Sequence, residues 1–337
     1  MTHATELSRL LKQGSQSWNQ WRKDHPDERP YLLWFNLNRS KMRDIDLSGA
    51  ELHHTTCKEA DLHGANLRHA RLDFANFRRA NLSDSDWRGA DVGIVYLNRT
   101  NLSRADLRGT DLRQAVFNRT NLTNANLHGC DLRGVSLRGS SLHGVDLRDA
   151  NLSGVDLQGI HLGKSNLSYA RLPGIRLGQA KLRAALLMGA ILREAQMHGA
   201  NLILADLSEA NLKDASLCQS KLNGANLRGA DLRGVDLAGA QLCGANLQGA
   251  DLSGASLYGA DLSAVSLRGA NLSRANLCKA NMRKADLSGA MLNQVQMEET
   301  NLQEANLRGI PWFSLLELSF LQNADLTGIQ WDQPTEE

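Results

Sequence analysis

The sequence predicts a solenoid, and three observations carry that expectation. From Phe35 to Ser314 a large apolar side chain recurs at every fifth residue, and the residue two places before it is small or apolar. The phase runs unbroken from Leu37 to Trp312, which makes 56 five-residue units, 46 of them centred on Leu. A strict period of five matches neither an amphipathic helix, with apolar residues three and four apart, nor a flat strand, with alternation. A unit this small cannot bury its own apolar face, so it must stack on its neighbours.

Units such as "ADLHG ANLRH", "ANLRG ADLRG VDLAG" and "ADLSG ASLYG" resemble the A(D/N)LXX signature of the pentapeptide repeat family, over about four fifths of the chain. The resemblance implies an all-β solenoid, a right-handed quadrilateral β-helix in which four units make one square coil and coils stack through short parallel ladders. On that reading residues 35–314 form about 14 coils, a rod roughly 67 Å long at about 4.8 Å per coil.

The columns of the repeat agree with that fold. No Asp, Glu, Lys or Arg occurs at any unit centre or two places before one, although charged residues make up 22% of the chain. Those two columns are therefore expected inside, where an unpaired charge is costly. Asp, Asn, Arg and Gly fill the other three positions. Gly often closes the unit, as at Gly64, Gly89, Gly109 and Gly229, which predicts a corner with unusual backbone dihedrals.

Two segments flank the repeat. Residues 1–34 carry Leu7, Leu10, Leu11, Trp18 and Trp21 at helical spacing, broken by Gly14 and closed between Pro26 and Pro30. They are expected to form a helical cap over the first coil, whose ladder edge and apolar cross-section would otherwise recruit other chains. The stretch "LLKQGSQSWNQWRKDHP" resembles leaders of cyanobacterial family members. Past Trp312 the phase shifts by one residue, so 315–337 reads as a short C-terminal cap with one frayed unit, and self-association through a rod end is open.

Composition narrows the chemistry. Over residues 35–314, 33 Lys and Arg face 27 Asp and Glu, which is too balanced to indicate nucleic acid as a partner. The opening residues lack a signal-peptide pattern and no run reaches spanning length, so a cytoplasmic bacterial protein without a membrane span is expected. Cys57 and Cys130 fall in interior columns, while Cys218 and Cys278 share an outward column three coils apart, too far for a disulfide. His53, His54, His63 and His69 point outward from different faces with no convergent ligand set. A convex surface without loop insertions offers no catalytic cleft. No cofactor, metal, small-molecule substrate or enzymatic activity is expected.

Function is then expected on the faces, as a scaffold or adaptor for a protein partner that the sequence does not identify. Folding the sequence at twenty residues per coil gives a surface map. Beside Leu47, Leu67, Trp87, Leu107, Leu127 and Leu147, Arg68, Arg88, Arg108 and Arg148 interleave with Asp46, Asp86, Asp106 and Asp146, which reads either as a self-neutralising ladder or as an Arg stripe that docks an acidic protein surface. The opposite face carries Arg39, Lys58, Arg78, Arg79, Arg99 and Arg119 with only Glu59 among them. Arg78, Arg79, Arg99 and Arg119 are the candidate basic strip. In "AALLMGAILREAQMHGANLILADL", Leu186, Met188, Ile191, Ile203 and Leu204 occupy outward positions that are almost always polar elsewhere. Leu186, Met188, Ile203 and Leu204 gather at one corner and form the candidate protein-binding patch. The family resemblance also implies an alternative, a DNA mimic that modulates a type II topoisomerase, which the net positive repeat surface disfavours.

Overall fold

The computed structural model describes residues 3–310 together with Thr327 and Gln330. Apart from those two, the C-terminal cap expected over 315–337, and the unit centre at Trp312, lie outside the described residues. The chain divides into two compact units, residues 1–156 with 160–166 and residues 157–159 with 167–337.

Nearly every five-residue unit makes the same local structure. The residue before the centre sits in a parallel bridge, the centre points inward, and the next two residues turn. Around Leu232, the Asp231 amide donates to Ala210 O at 3.0 Å, the Leu232 amide to Asp251 O at 2.7 Å and the Gly234 amide to Ser253 O at 3.0 Å, while the Val235 amide closes the turn on Leu232 O at 3.1 Å. Bridges join residues twenty apart, as in Asp231↔Asp251, so four units complete one coil. The fold is the right-handed quadrilateral β-helix.

The first unit opens with two helices, α1 (His3–Gln13) and α2 (Ser15–Asp24), separated by Gly14 at φ 99°. Its bridges run from Tyr31↔Glu51 to Asp146↔Asn166. The side chains of α2 bond to the edge of the first coil. Trp18 Nε1 donates to Asp46 O at 2.7 Å, Asn19 Nδ2 to Asp44 O at 2.8 Å, and the Asp46 amide donates to Asn19 Oδ1 at 2.8 Å. Arg22 reaches Ser48 O at 2.9 Å. The Asp46 amide, Asp46 O and Ser48 O are backbone groups that a preceding coil would pair, as the Asn66 amide pairs with Ile45 O, and leaving them unpaired and buried would be costly.

The interior columns hold throughout the described repeat except at its start, where Phe35 and Ser40 are only half-buried. The first unit takes its largest core side chains from Phe77, Trp87 and Phe117, all fully buried. Phe77 and Trp87 meet edge to face at 5.7 Å, and Trp87 Nε1 donates to Ser85 Oγ at 2.7 Å, so the indole is buried with its polar atom satisfied. Thr100 and Thr120 hydroxyls donate to Phe77 O and Leu97 O at 2.8 and 2.6 Å. One irregularity occurs at "DVGIV", where Asp73 Oδ1 accepts from the Ile94 amide at 2.8 Å and Phe74 bonds to Ile94 O.

The second unit repeats the pattern with bridges from Arg171↔Ile191 to Asp286↔Asn306 and a last one, Asn306↔Gln330, that departs from the twenty-residue step. Its core is almost wholly Leu against Ala, for example Leu232, Leu237 and Leu242 at 0% exposure.

Candidate functional site

Outward side chains leave the coil from three places, and one of them is conformationally expensive. The second residue after nearly every centre has φ near +60°, whether Gly229 at 65° or Arg99 at 59°, the exceptions being Ile94 and Gln114. Gly adopts that conformation at little cost, whereas a residue with a Cβ loses roughly 1–2 kcal/mol there. Arg79, Arg99, Arg119 and Leu204 all occupy this position, with φ between 59° and 60°.

In the second unit, Leu186 and Leu204 are 43% and 55% exposed, while Met188 and Ile203 are half-buried. Around the corner formed by buried Ala185 and Ala205, Leu204 stands on one side and Leu186 on the other. Two further side chains extend the patch. Tyr169, 51% exposed, lays its ring across Gly189, where an added Cβ would come within 2.6 Å of Cε1. Ile191, 38% exposed, follows on the next face. The result is an apolar belt over two successive coils, Tyr169 in one and Leu186, Met188, Ile191, Ile203 and Leu204 in the next. Sequence reasoning placed Ile191 outward but overlooked Tyr169, whose register above Gly189 was the available signal.

In the first unit, Arg78, Arg79, Arg99 and Arg119 are all exposed. They are not equivalent. Glu59 accepts from Arg39 at 3.0 Å and Arg79 at 3.4 Å, and the Arg39 guanidinium, followed by that of Arg79, holds its carboxyl below the usual range. Arg79 is therefore offset. Among the described residues, no ion pair involves Arg78, Arg99 or Arg119, and Arg138 continues the strip beside Gly139. On the opposite face the arginines are clamped within their own units: Arg88 to Asp86, Arg108 to Asp106 and Arg148 to Asp146, at 2.6, 2.7 and 2.6 Å.

A feature that sequence reasoning missed lies at the corner before the basic face. Trp34, His54 and Phe74 stack as a ladder, with centroids 4.0 Å and then 4.8 Å apart and interplanar angles of 6° and 2°. All three take positive φ, at 64°, 57° and 58°. Their twenty-residue spacing was visible in the sequence, and His54 had been read only as a scattered histidine.

The remaining polar groups do not converge. Among the described residues no group of three or more His, Cys, Asp and Glu is placed to hold a metal ion. Burial pushes the Cys57 thiol up to about 12 and the Cys130 thiol to about 11. Cys218 lies 3.0 Å from His198 Nδ1 on the surface. No helix among the described residues is long and apolar enough to cross a membrane.

A family model described as pentapeptide repeats matches in 8 copies, over residues 36–91, 100–208 and 210–309. No curated protein matches the chain. Among solved structures, HetL from Nostoc sp. strain PCC 7120, a pentapeptide repeat protein involved in heterocyst differentiation regulation, is 28% identical over 86% of this chain and 95% of its own, with a TM-score of 0.27. Full-length QnrB1, a plasmid-mediated fluoroquinolone resistance protein, is 18% identical over 68% of this chain and 92% of its own, with a TM-score of 0.28. A pentapeptide repeat protein of the Arabidopsis thaliana thylakoid lumen is 33% identical over 34% of this chain and 69% of its own, with a TM-score of 0.18. With a five-residue phase, twenty-residue coils and a family match over most of its length, this chain belongs to the pentapeptide repeat family.

Proposed function

We propose that this protein is a non-catalytic scaffold that binds a protein partner through the apolar belt of its second unit. The exposure of Leu186 and Leu204, at 43% and 55%, where the column of Leu186 is otherwise polar and that of Leu204 holds no other large apolar side chain, carries the reading. Each such side chain contributes on the order of 1.5–3 kcal/mol when buried, before association costs. Tyr169 and Met188 supply the aromatic and adaptable contacts that concentrate binding energy. The left-handed backbone at Leu204 favours this reading too, since a side chain is kept there at a place where Gly224, one coil on, avoids the cost.

The test is the triple variant Leu186→Gln, Ile203→Thr, Leu204→Asn in the full chain. Affinity capture from lysate of the source organism, compared band by band with the parent, should lose its principal partner, and the thermal midpoint should stay unchanged. If the partner is a second copy, sedimentation should show the parent's dimer replaced by monomer. Equal capture and equal sedimentation by the parent and the triple variant would overturn the assignment.

A further inference from the structure

The first unit carries a second surface whose chemistry is more specific than apolar exposure. On one face, the aromatic ladder Trp34, His54 and Phe74 stands at the leading corner, and Arg79, Arg99 and Arg119 stand at the trailing one. From this arrangement we infer that the face binds an acidic peptide segment led by a single aromatic side chain. The leading ring stacks on the outer side of Trp34, and the carboxylates that follow it pair with Arg99 and Arg119.

The ladder fixes the first half of that assignment. His54 has a ring against each face, at 4.0 and 4.8 Å, so its faces are spent. Trp34 ends the stack and is 67% exposed, which leaves one indole face for one more planar ring at the same spacing. Single-stranded nucleic acid needs aromatic faces presented to successive bases. Here the rings have turned their faces to one another and present edges along the column, so a row of bases finds a face only at an end of the stack. The positive edges of aromatic rings also favour an anionic neighbour.

The arginines fix the second half. Arg78, Arg99 and Arg119 have no carboxylate within ion-pair distance among the described residues, unlike Arg88, Arg108 and Arg148. A guanidinium matches a carboxylate in a two-pronged geometry. Arg99 lies three coils beyond Trp34 and Arg119 four coils beyond, roughly 14 and 19 Å along the ladder direction. With the width of one face added and about 3.3 Å per extended residue, the carboxylates belong roughly four to seven residues after the ring. Trp34, Arg99 and Arg119 all hold φ between 59° and 64°, so the face keeps these side chains at positions where glycine would be cheaper. The belt of the second unit plays no part here, and either surface stands if the other fails.

The probe is a fluorescein-labelled peptide with one Trp followed, roughly four to seven residues later, by a run of Glu, titrated into the full-length protein with anisotropy as the readout. Saturable binding that weakens with added salt is expected. Trp34→Ala should weaken it roughly three- to tenfold with the salt dependence preserved, and Trp34→Phe should restore most of the loss. Arg99→Gln with Arg119→Gln should flatten the salt dependence. Replacing the peptide's Trp by Ala should reproduce the effect of Trp34→Ala, and combining the two should cost little more. Unchanged affinity of the Trp34→Ala protein would overturn the inference, as would the absence of saturable binding. Binding of an oligothymidylate in preference to the peptide would overturn it in favour of nucleic acid.

Discussion

Leu204 holds φ 59° where Gly224, next in its column, holds 65°, and this contrast separates side chains that hold the fold from side chains that decorate it. Asn tolerates the left-handed conformation better than Leu, so Leu204→Asn is expected to leave the unfolding midpoint unchanged or slightly raised. Inward positions behave oppositely. Leu232 is fully buried, so Leu232→Asp removes its packing and buries a carboxylate, a loss of several kcal/mol. Arg228→Gln, on an exposed side chain without an ion pair among the described residues, should stay within about half a kcal/mol. Comparable denaturation midpoints for Leu232→Asp and Arg228→Gln would invert the assignment of inside and outside. Acid should act through the clamps. The hydrogen bond from Arg133 holds Asp131 below its ordinary value, and Arg233 does the same for Asp231. A carboxyl lowered in the folded state adds stability above its unfolded value of about 3.9, and that stability is lost as pH falls through the folded value. The thermal midpoint should therefore be flat at neutral pH and fall below about pH 4, less steeply in the double variant Asp131→Asn, Asp231→Asn. Inside and outside were legible at this scale because burial follows the five-residue phase. The pairing of Arg79 with Glu59 was half legible: the map put both residues on one face, but whether they touch depends on rotamers that no periodicity reports.

At the scale of elements, the informative contrast is between a coil that stacks on another coil and the first coil, which meets α2. Trp18, Asn19 and Arg22 project from one side of that helix and bond to backbone groups of residues 44–48. Asn19 alone satisfies one acceptor and one donor. Asn19→Ala should cost about 1–3 kcal/mol, read as a lower denaturation midpoint of the full chain, whereas Gln20→Ala, which bonds only Asp24 within the helix, should cost little. Removing residues 1–30 is expected to leave the repeat folded and to promote association through the uncovered edge, visible as an increase in scattering mass. A truncated chain that stays monodisperse at its formula mass would remove the capping role. The helical spacing of Leu7, Leu10, Leu11, Trp18 and Trp21 made the two helices and their break at Gly14 legible. The hydrogen bonds to the coil edge were not, because Asn19 is polar and carries no signal in an apolar pattern. The same reason hid the ladder: His54 was weighed as a possible metal ligand, whereas its neighbours twenty residues away make it a stacking ring.

For the whole molecule, the balance of charge bears on the two function classes that the repeat leaves open. The chain has 38 Lys and Arg against 36 Asp and Glu, and its Asp residues are largely engaged. Asp86, Asp106, Asp111, Asp131, Asp146 and Asp231 each hold an arginine two residues later in their own unit. A surface that imitates DNA must present an uncompensated row of negative charge, since the attraction of a DNA-binding groove for phosphate is largely electrostatic. Here six such carboxylates are neutralised by an arginine of their own unit, and the opposite face of the first unit presents Arg78, Arg99 and Arg119 without an ion pair among the described residues. The expected outcome in a supercoiling assay with DNA gyrase is therefore no inhibition and no protection from a fluoroquinolone at protein concentrations well above that of the enzyme. A charge-altered control sharpens the test: replacing Arg88, Arg108 and Arg148 by Gln uncovers Asp86 and Asp106 on adjacent coils, roughly 4.8 Å apart, and Asp146 two coils further on, past Asn126. If the parent chain is inert and this variant gains weak inhibition, compensation by arginine is what keeps the scaffold from acting as a mimic. Inhibition by the parent itself at low ionic strength, abolished by salt, would instead place the topoisomerase among its partners and displace the protein-scaffold reading.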